Sequence, residues 1–279
     1  NANALAKEIY GHLFTWLIDT ICNDVLCPSG SKESFVGLLD IFGFENFVPT
    51  GGSNSIEQLC INFANEKLQY LFNKHVFDDE KKMYASDGID PSMMPSAKDN
   101  KPCIDLVERK AKKKGGASGI LCHISEFKAT SSAKKPPPQN NQIMVKEWVK
   151  MFGMKRGEMK KTKERWMRHS SKQFYGNRKR DEVFHIVHYA GDIEYDATHW
   201  LEKNEDKLPK QLMKLVMSSS FTFLKSLFDD EGGDGEDTKK KKKKKKGPND
   251  LCGKYLHQLG ELSKTLASTE PHYVRCVKP

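Results

Sequence analysis

Two acids and a glycine close an apolar run in "GLLDIFGFENF", residues 37–47. Val36, Leu38, Leu39 and Ile41 predict a strand over 35–42, and their near-continuous apolarity is the pattern of a strand covered on both faces. Asp40, Gly43 and Glu45 then follow in quick succession. A carboxylate at the end of a buried strand is costly unless something pairs it. A metal-bound phosphate does so: nucleotide-hydrolysing proteins of the P-loop class place an acid at a strand end, where it holds Mg²⁺ directly or through water. A following glycine lets a backbone N–H approach the γ-phosphate with no Cβ between them. Asp-x-x-Gly is also an ordinary turn, and the three residues alone leave both readings open.

Other residues offer less. His185 and His188 lie three apart on a predicted strand and so face opposite sides, which argues against a shared metal. Cys22 and Cys27 sit on a helix as packing residues rather than ligands. Trp148 and Trp166 fall in a basic segment and could stack on bases, although a place in a helix core suits them better. No Gly-x-x-x-x-Gly-Lys-Ser/Thr occurs, so no phosphate cradle with its lysine is present in these residues.

Charge is unevenly spread. The net charge is +9. Residues 146–180 hold thirteen Lys/Arg against three acids. Lys239, Lys240, Lys241, Lys242, Lys243, Lys244, Lys245 and Lys246 form an unbroken run, preceded by six acids in 229–237. An acidic polymer or surface is the implied partner. No run of about 18 apolar residues exists, so no membrane insertion is expected. Seven scattered cysteines with no Cys-x-x-Cys pair suggest a reduced, cytoplasmic protein. The chain begins at Asn1 and stops at Pro279 inside a predicted strand, as a piece of something longer would.

The elements that must position Asp40, Gly43 and Glu45 are mostly helices. Leu5, Ile9, Leu13, Leu17, Ile21 and Val25 stripe a helix over 4–26. After a turn at Thr50-Gly51-Gly52, Ser55 and Gln58 form a capping-box pattern that starts a second long helix, to about residue 80. Short helices are predicted at "CIDLVER" and "GILCHISEF", and a longer basic one over 143–170. "VFHIVHYAGDIEY", 183–195, alternates about Gly191-Asp192 as a hairpin. Helices over 205–228 and 250–267 and a strand over 272–277 complete the reading.

"LLDIFGFENF" followed by "NSIEQLCINFANEKLQYLFNKHVF" closely resembles the switch II loop and relay helix of the myosin motor domain. "ALAKEIYGHLFTWLIDTI", "NKPCIDLVE", "HYAGDIEYDATHWLEKN" and "TEPHYVRCVKP" resemble further segments of that family in the same order. The resemblance implies an α/β fold: part of a P-loop NTPase-type motor domain, mostly helical, with strands of a central mixed sheet. It implies that Asp40 lies near Mg²⁺ and reaches it through water. Gly43 would sense the γ-phosphate of ATP, and Glu45 would bond a switch I arginine and help position the lytic water. The phosphate-binding loop and switch I would precede these residues, and light chains would bind outside them.

By the same resemblance, 1–34 is the helix before switch II, 35–49 the switch II strand and loop, and 50–80 the relay helix. Residues 81–228 form a divergent actin-binding subdomain; "GILCHISEFKATSSA" resembles only the first half of its actin-contacting element. Residues 229–249 match the charged surface loop called loop 2, whose lysines would meet an actin filament, and 250–279 supply a helix and a core strand. The implied function is part of an actin-based, ATP-driven motor associated with the cytoskeleton. Two alternatives stay open: a catalytically inactive actin-binding protein of the same descent, and a basic nucleic-acid binder built on 146–180 and the lysine run. Nucleic acid is the less expected partner.

Overall fold

The computed structural model describes residues 2–22, 36–94, 99–111, 117–131, 140–152, 173–177, 179–205, 210–228 and 250–274. The chain divides into two compact units, residues 1–40 with 206–247 and residues 41–205 with 248–279.

The first unit is mainly helical where it is described, apart from residues 36–40. Helix α1 (Ala2–Thr20) follows the predicted stripe; residues 23–26 of that prediction lie outside the described residues. Trp16 meets Phe223 edge-on at 5.0 Å, and His12 lies against Phe228 at 4.2 Å. The helix expected over 205–228 is two helices here, α7 (Lys210–Met217) and α8 (Thr222–Ser226). Serines explain the break. Ser218 Oγ donates to the Leu215 carbonyl and Ser219 Oγ accepts the Phe221 N–H, so side chains take over bonds that a continuous helix would make.

The second unit holds the core. Helix α2 (Ile56–Ser86) runs past its expected end. Helices α3 (Lys101–Glu108), α4 (Ile120–Ser131) and α5 (Asn141–Phe152) follow. Strands β1 (Phe174–Gly176), β2 (Val183–Val187) and β3 (Asp192–Asp196) form an antiparallel sheet in the order β1-β2-β3. Phe184 opposes Tyr195 and His185 opposes Glu194 across the expected hairpin. Helix α6 (Trp200–Asn204) and helix α9 (Leu251–Ser268) close the unit.

Met144, Val145, Trp148 and Phe152 recur at helical spacing on α5 and are all buried. Trp148 and Trp200 each meet Phe184 edge-on, at 5.3 and 5.4 Å. Trp148 is thus a core residue, as its helix predicted; Trp166 lies outside the described residues. Ile56, Leu59 and Phe63 of α2, Val107 of α3 and Ile124 of α4 join the same core.

Two strand predictions differ from the structure. Residues 36–47 have no regular secondary structure, and Val36 and Leu38 are 94% and 97% exposed. A strand exists only through a neighbour's hydrogen bonds, and none of the described strands pairs with 36–42. The described sheet is accordingly small and antiparallel, not a central mixed one. Residues 272–274 likewise have no regular structure, and the rest of that predicted strand lies outside the described residues.

Candidate functional site

Glu45 is held by α2. Asn62, on the second turn of that helix, grips its backbone from both sides. The Glu45 N–H donates to Asn62 Oδ1 at 2.7 Å, and Asn62 Nδ2 donates to the Glu45 carbonyl at 2.8 Å. Gln58 adds a third tie. Its Oε1 accepts the Ser55 N–H at 3.0 Å at the helix start, and its Nε2 donates to Glu45 Oε2 at 3.3 Å. The capping residue foreseen in the sequence thus also steadies the carboxylate.

Three more asparagines fix the stretch around Glu45. Asn65 Nδ2 donates to the Phe42 carbonyl at 2.9 Å. Asn54 is buried; its Oδ1 accepts the Phe47 N–H, and its Nδ2 donates to Asn46 Oδ1 and to the Glu194 carbonyl, each at 2.9 Å. The Asp196 N–H donates to the Asn54 carbonyl at 2.8 Å, which joins the loop to β3. The loop then turns at Gly51, whose φ of 83° suits a residue without a Cβ.

Behind Asn62 lies a buried polar chain. Asn62 Nδ2 also donates to the Tyr195 hydroxyl at 2.9 Å. That hydroxyl lies 2.9 Å from His188 Nε2, and His188 Nδ1 lies 2.9 Å from Glu66 Oε2. Glu66 is on α2 one turn beyond Asn62, and its side chain and that of His188 are fully buried. Burial raises the Tyr195 hydroxyl above its usual range, so it keeps its proton. Phe44 lies edge-on against His188 at 5.2 Å, in contact with the chain's far end.

Glu66, Cys103 and His188 bring their donor atoms within 4.8 Å of one another, a spacing that a metal could use. Their hydrogen bonds give a different role. Glu66 Oε1 accepts from Asn100 Nδ2 at 2.8 Å, and Oε2 accepts the Tyr189 N–H at 3.2 Å besides its contact with His188. Burial, and then the Glu66 carboxylate beside it, push the Cys103 thiol well above its usual range, so it remains a thiol. The cluster is a satisfied hydrogen-bonded hub between α2, α3 and the end of β2. His185 faces away from it, toward Asp192 and Glu194, as the spacing of the two histidines predicted.

Asp40 is exposed and takes no hydrogen bond from a described residue. Gly43 is exposed as well; a Cβ added there would meet nothing within 4 Å, so neither packing nor a left-handed φ asks for glycine. Glu45 is half-buried. Lys239 to Lys246 lie outside the described residues, as does Cys27, while Cys22 is exposed.

Asn54, Asn62, Glu66 and Tyr195 are residues of the candidate site that motif reading missed, and His188 was weighed only as a metal ligand. One signal was present. Asn62 and Glu66 lie on the α2 face that carries Leu59 and Phe63, and a polar residue on an apolar stripe needs a partner.

A model of the family described as "Myosin head (motor domain)" matches residues 1–279. The chain is 37% identical over 278 residues to the "High molecular weight form of myosin-1" of Acanthamoeba castellanii. It is 35% identical over 295 residues to "Unconventional myosin-Vb" and 31% over 277 residues to "Unconventional myosin-XIX", both of Homo sapiens. Each match covers 99% of this chain but 15%, 14% and 25%, respectively, of the relative. The chain therefore spans a quarter or less of these curated relatives.

Proposed function

Because the chain belongs to the myosin head (motor domain) family, we propose that it is part of an actin-based motor that couples ATP hydrolysis to movement along filaments. The loop from Asp40 to Phe47 senses the γ-phosphate, and α2 carries its state away. The observation that supports this most is the two-sided grip of Asn62 on Glu45. A loop tied at both backbone groups of one residue cannot shift without turning or tilting the helix that holds it. That helix has 31 residues, roughly 45 Å at 1.5 Å per residue, so a small rotation at its start becomes a large displacement at its end.

The residues suit a magnesium nucleotide. Asp40 offers an exposed carboxylate with no competing bond among the described residues, and Mg²⁺, when bound, neutralises charge on the phosphates. Gly43 leaves its N–H open to a phosphate oxygen, and a phosphate's close approach supplies the need for glycine that packing does not. Glu45 keeps its carboxylate half-exposed on a fixed backbone, where it orients an attacking water and excludes unproductive poses.

In the full-length protein, Glu45→Ala is expected to slow ATP cleavage about a hundredfold or more, the scale of losing a group that acts in the transition state. Nucleotide binding changes only a few-fold, because the cradle lies elsewhere. Stopped-flow kinetics separate the two steps, and equal losses in both would sink the assignment.

Lys239 to Lys246 are assigned to weak actin attachment. Their attraction is long-range and screened over roughly 10 Å at 0.1 M salt. Replacing them with a Gly/Ser segment should slow actin association and flatten its ionic-strength dependence, while ATPase without actin stays near its original rate. Identical salt slopes in actin-activated ATPase would reduce the tract to a linker.

A further inference from the structure

With Glu66 as acceptor, the hydrogen bonds of the buried chain behind Asn62 set its proton positions. Glu66 is an acceptor on both oxygens: Oε1 takes the Asn100 amide and Oε2 takes the Tyr189 N–H. His188 Nδ1, 2.9 Å from Glu66 Oε2, must therefore donate. The Tyr195 oxygen accepts a hydrogen bond from Asn62 Nδ2, and the hydroxyl has two described partners, Asn62 and His188. If His188 carried protons on both nitrogens, the Tyr195 proton would be buried with no acceptor among the described residues. A neutral His188 with its proton on Nδ1 removes the conflict, because Nε2 then accepts the Tyr195 O–H. Asn62 is oriented by the same logic: its NH₂ faces Tyr195 and the Glu45 carbonyl, and its oxygen faces the Glu45 N–H.

From this we infer that His188 and Tyr195 are positioning residues for Glu45. Neither touches the reacting atoms. Glu66 fixes the His188 ring, His188 fixes the direction of the Tyr195 hydroxyl, and Tyr195 holds the Asn62 amide in the one orientation that clamps Glu45 at both backbone groups. Without the Tyr195 hydroxyl, one Nδ2 hydrogen of Asn62 loses its buried acceptor, and the amide is held by its two bonds to Glu45 alone. The chain also ties three segments into one register: the loop at Glu45, α2 at Asn62 and Glu66, and the hairpin at His188 and Tyr195. Cys103 lies 3.6 Å from His188 Nδ1 and packs the ring from α3 as a neutral thiol.

The inference rests on the proposed role of Glu45 and is tested in the full-length protein. Tyr195→Phe keeps the ring and removes only the hydroxyl. His188→Asn keeps an amide near the Nδ1 position to bond Glu66 but offers nothing to Tyr195, so it cuts the same link from the other side. Each is expected to slow the cleavage step about tenfold, the scale of one lost buried hydrogen bond, with ATP binding within twofold of the original. Asn62→Ala should cost more. The decisive readout is the double variant Asn62→Ala/Tyr195→Phe, which should be no slower than Asn62→Ala alone, because Tyr195 acts through Asn62. Additive losses, or Tyr195→Phe and His188→Asn that both cleave at the original rate, overturn the inference. Should Tyr195→Phe fold poorly, His188→Asn carries the same cycle with Asn62→Ala. If Glu45→Ala itself cleaves normally, the role of the loop has failed; if Glu45→Ala is inactive while the cycle is additive, only the positioning chain has failed.

Discussion

Helices α1 and α2 both carry apolar residues three and four apart, and the structure treats them differently. On α2, Ile56, Leu59 and Phe63 are fully buried. On α1, Leu13, Phe14, Trp16, Leu17 and Ile18 are all exposed beyond a third of their surface. The helices also differ in what accompanies the stripe. The buried face of α2 includes Asn62 and Glu66, both buried and both fully engaged with partners from the loop, the hairpin and the loop before α3. Each of those polar groups would be destabilising if its partner moved, by about 1–3 kcal/mol. Apolar contacts tolerate sliding, whereas these bonds fix a single register. The helix proposed to transmit the position of Glu45 is thus the one whose buried face is partly polar.

The comparison can be broken by truncation. Phe63→Ala in the full-length protein should cost about 3–5 kcal/mol, as for other buried phenylalanines, and should raise hydrogen exchange throughout the α2 core. Leu17→Ala, at a site 44% exposed, should cost less than about 1 kcal/mol and leave exchange in α2 unchanged. Denaturant titration with exchange measured on both helices checks this. A Leu17→Ala loss as large as that of Phe63→Ala would mean that the α1 stripe is covered in the whole protein, and the contrast between the two helices would vanish.

Local signals in the sequence located most helices and the hairpin. The capping pattern at Ser55 and Gln58 marked the start of α2, and the alternation about Gly191 marked β2 and β3. Segments that depend on distant partners were misread. The run from Val36 to Ile41 has the composition of a buried strand, yet composition reports what a segment can bury, and the pairing that makes it a strand must come from other chain segments. The break between α7 and α8 was hidden because Ser218 and Ser219 are only weak helix breakers until their hydroxyls find backbone partners. At the candidate site, the proposal for Asp40, Gly43 and Glu45 was legible in the sequence. Their support was not, since Asn62 and Tyr195 lie 133 positions apart and nothing in either neighbourhood names the other.

The smallest expected effect concerns another histidine, partly buried on α4. His123 Nδ1 lies 3.0 Å from Trp148 Nε1, and an indole nitrogen can only donate, so Nδ1 must be unprotonated. The remaining proton sits on Nε2, which faces Glu147 Oε2 at 3.4 Å. Burial holds His123 below the usual histidine value of 6.5, with Glu147 and then Glu126 acting in the opposite sense. The sign follows from linkage. The unfolded chain binds the proton first as pH falls, so the stability from this contact is complete above about 6.5 and is lost progressively below it. Protonation of Nδ1 would also leave the fully buried Trp148 without an acceptor. Hydrogen exchange in α4 and α5 of the full-length protein, corrected for intrinsic rates, should therefore rise between pH 7.5 and 5.5. His123→Gln, which offers Trp148 an oxygen and does not titrate, should lack that rise. The same rise in both proteins would mean that other groups set the acid response, and that the His123–Trp148 contact joins α4 to α5 without making their packing sensitive to pH.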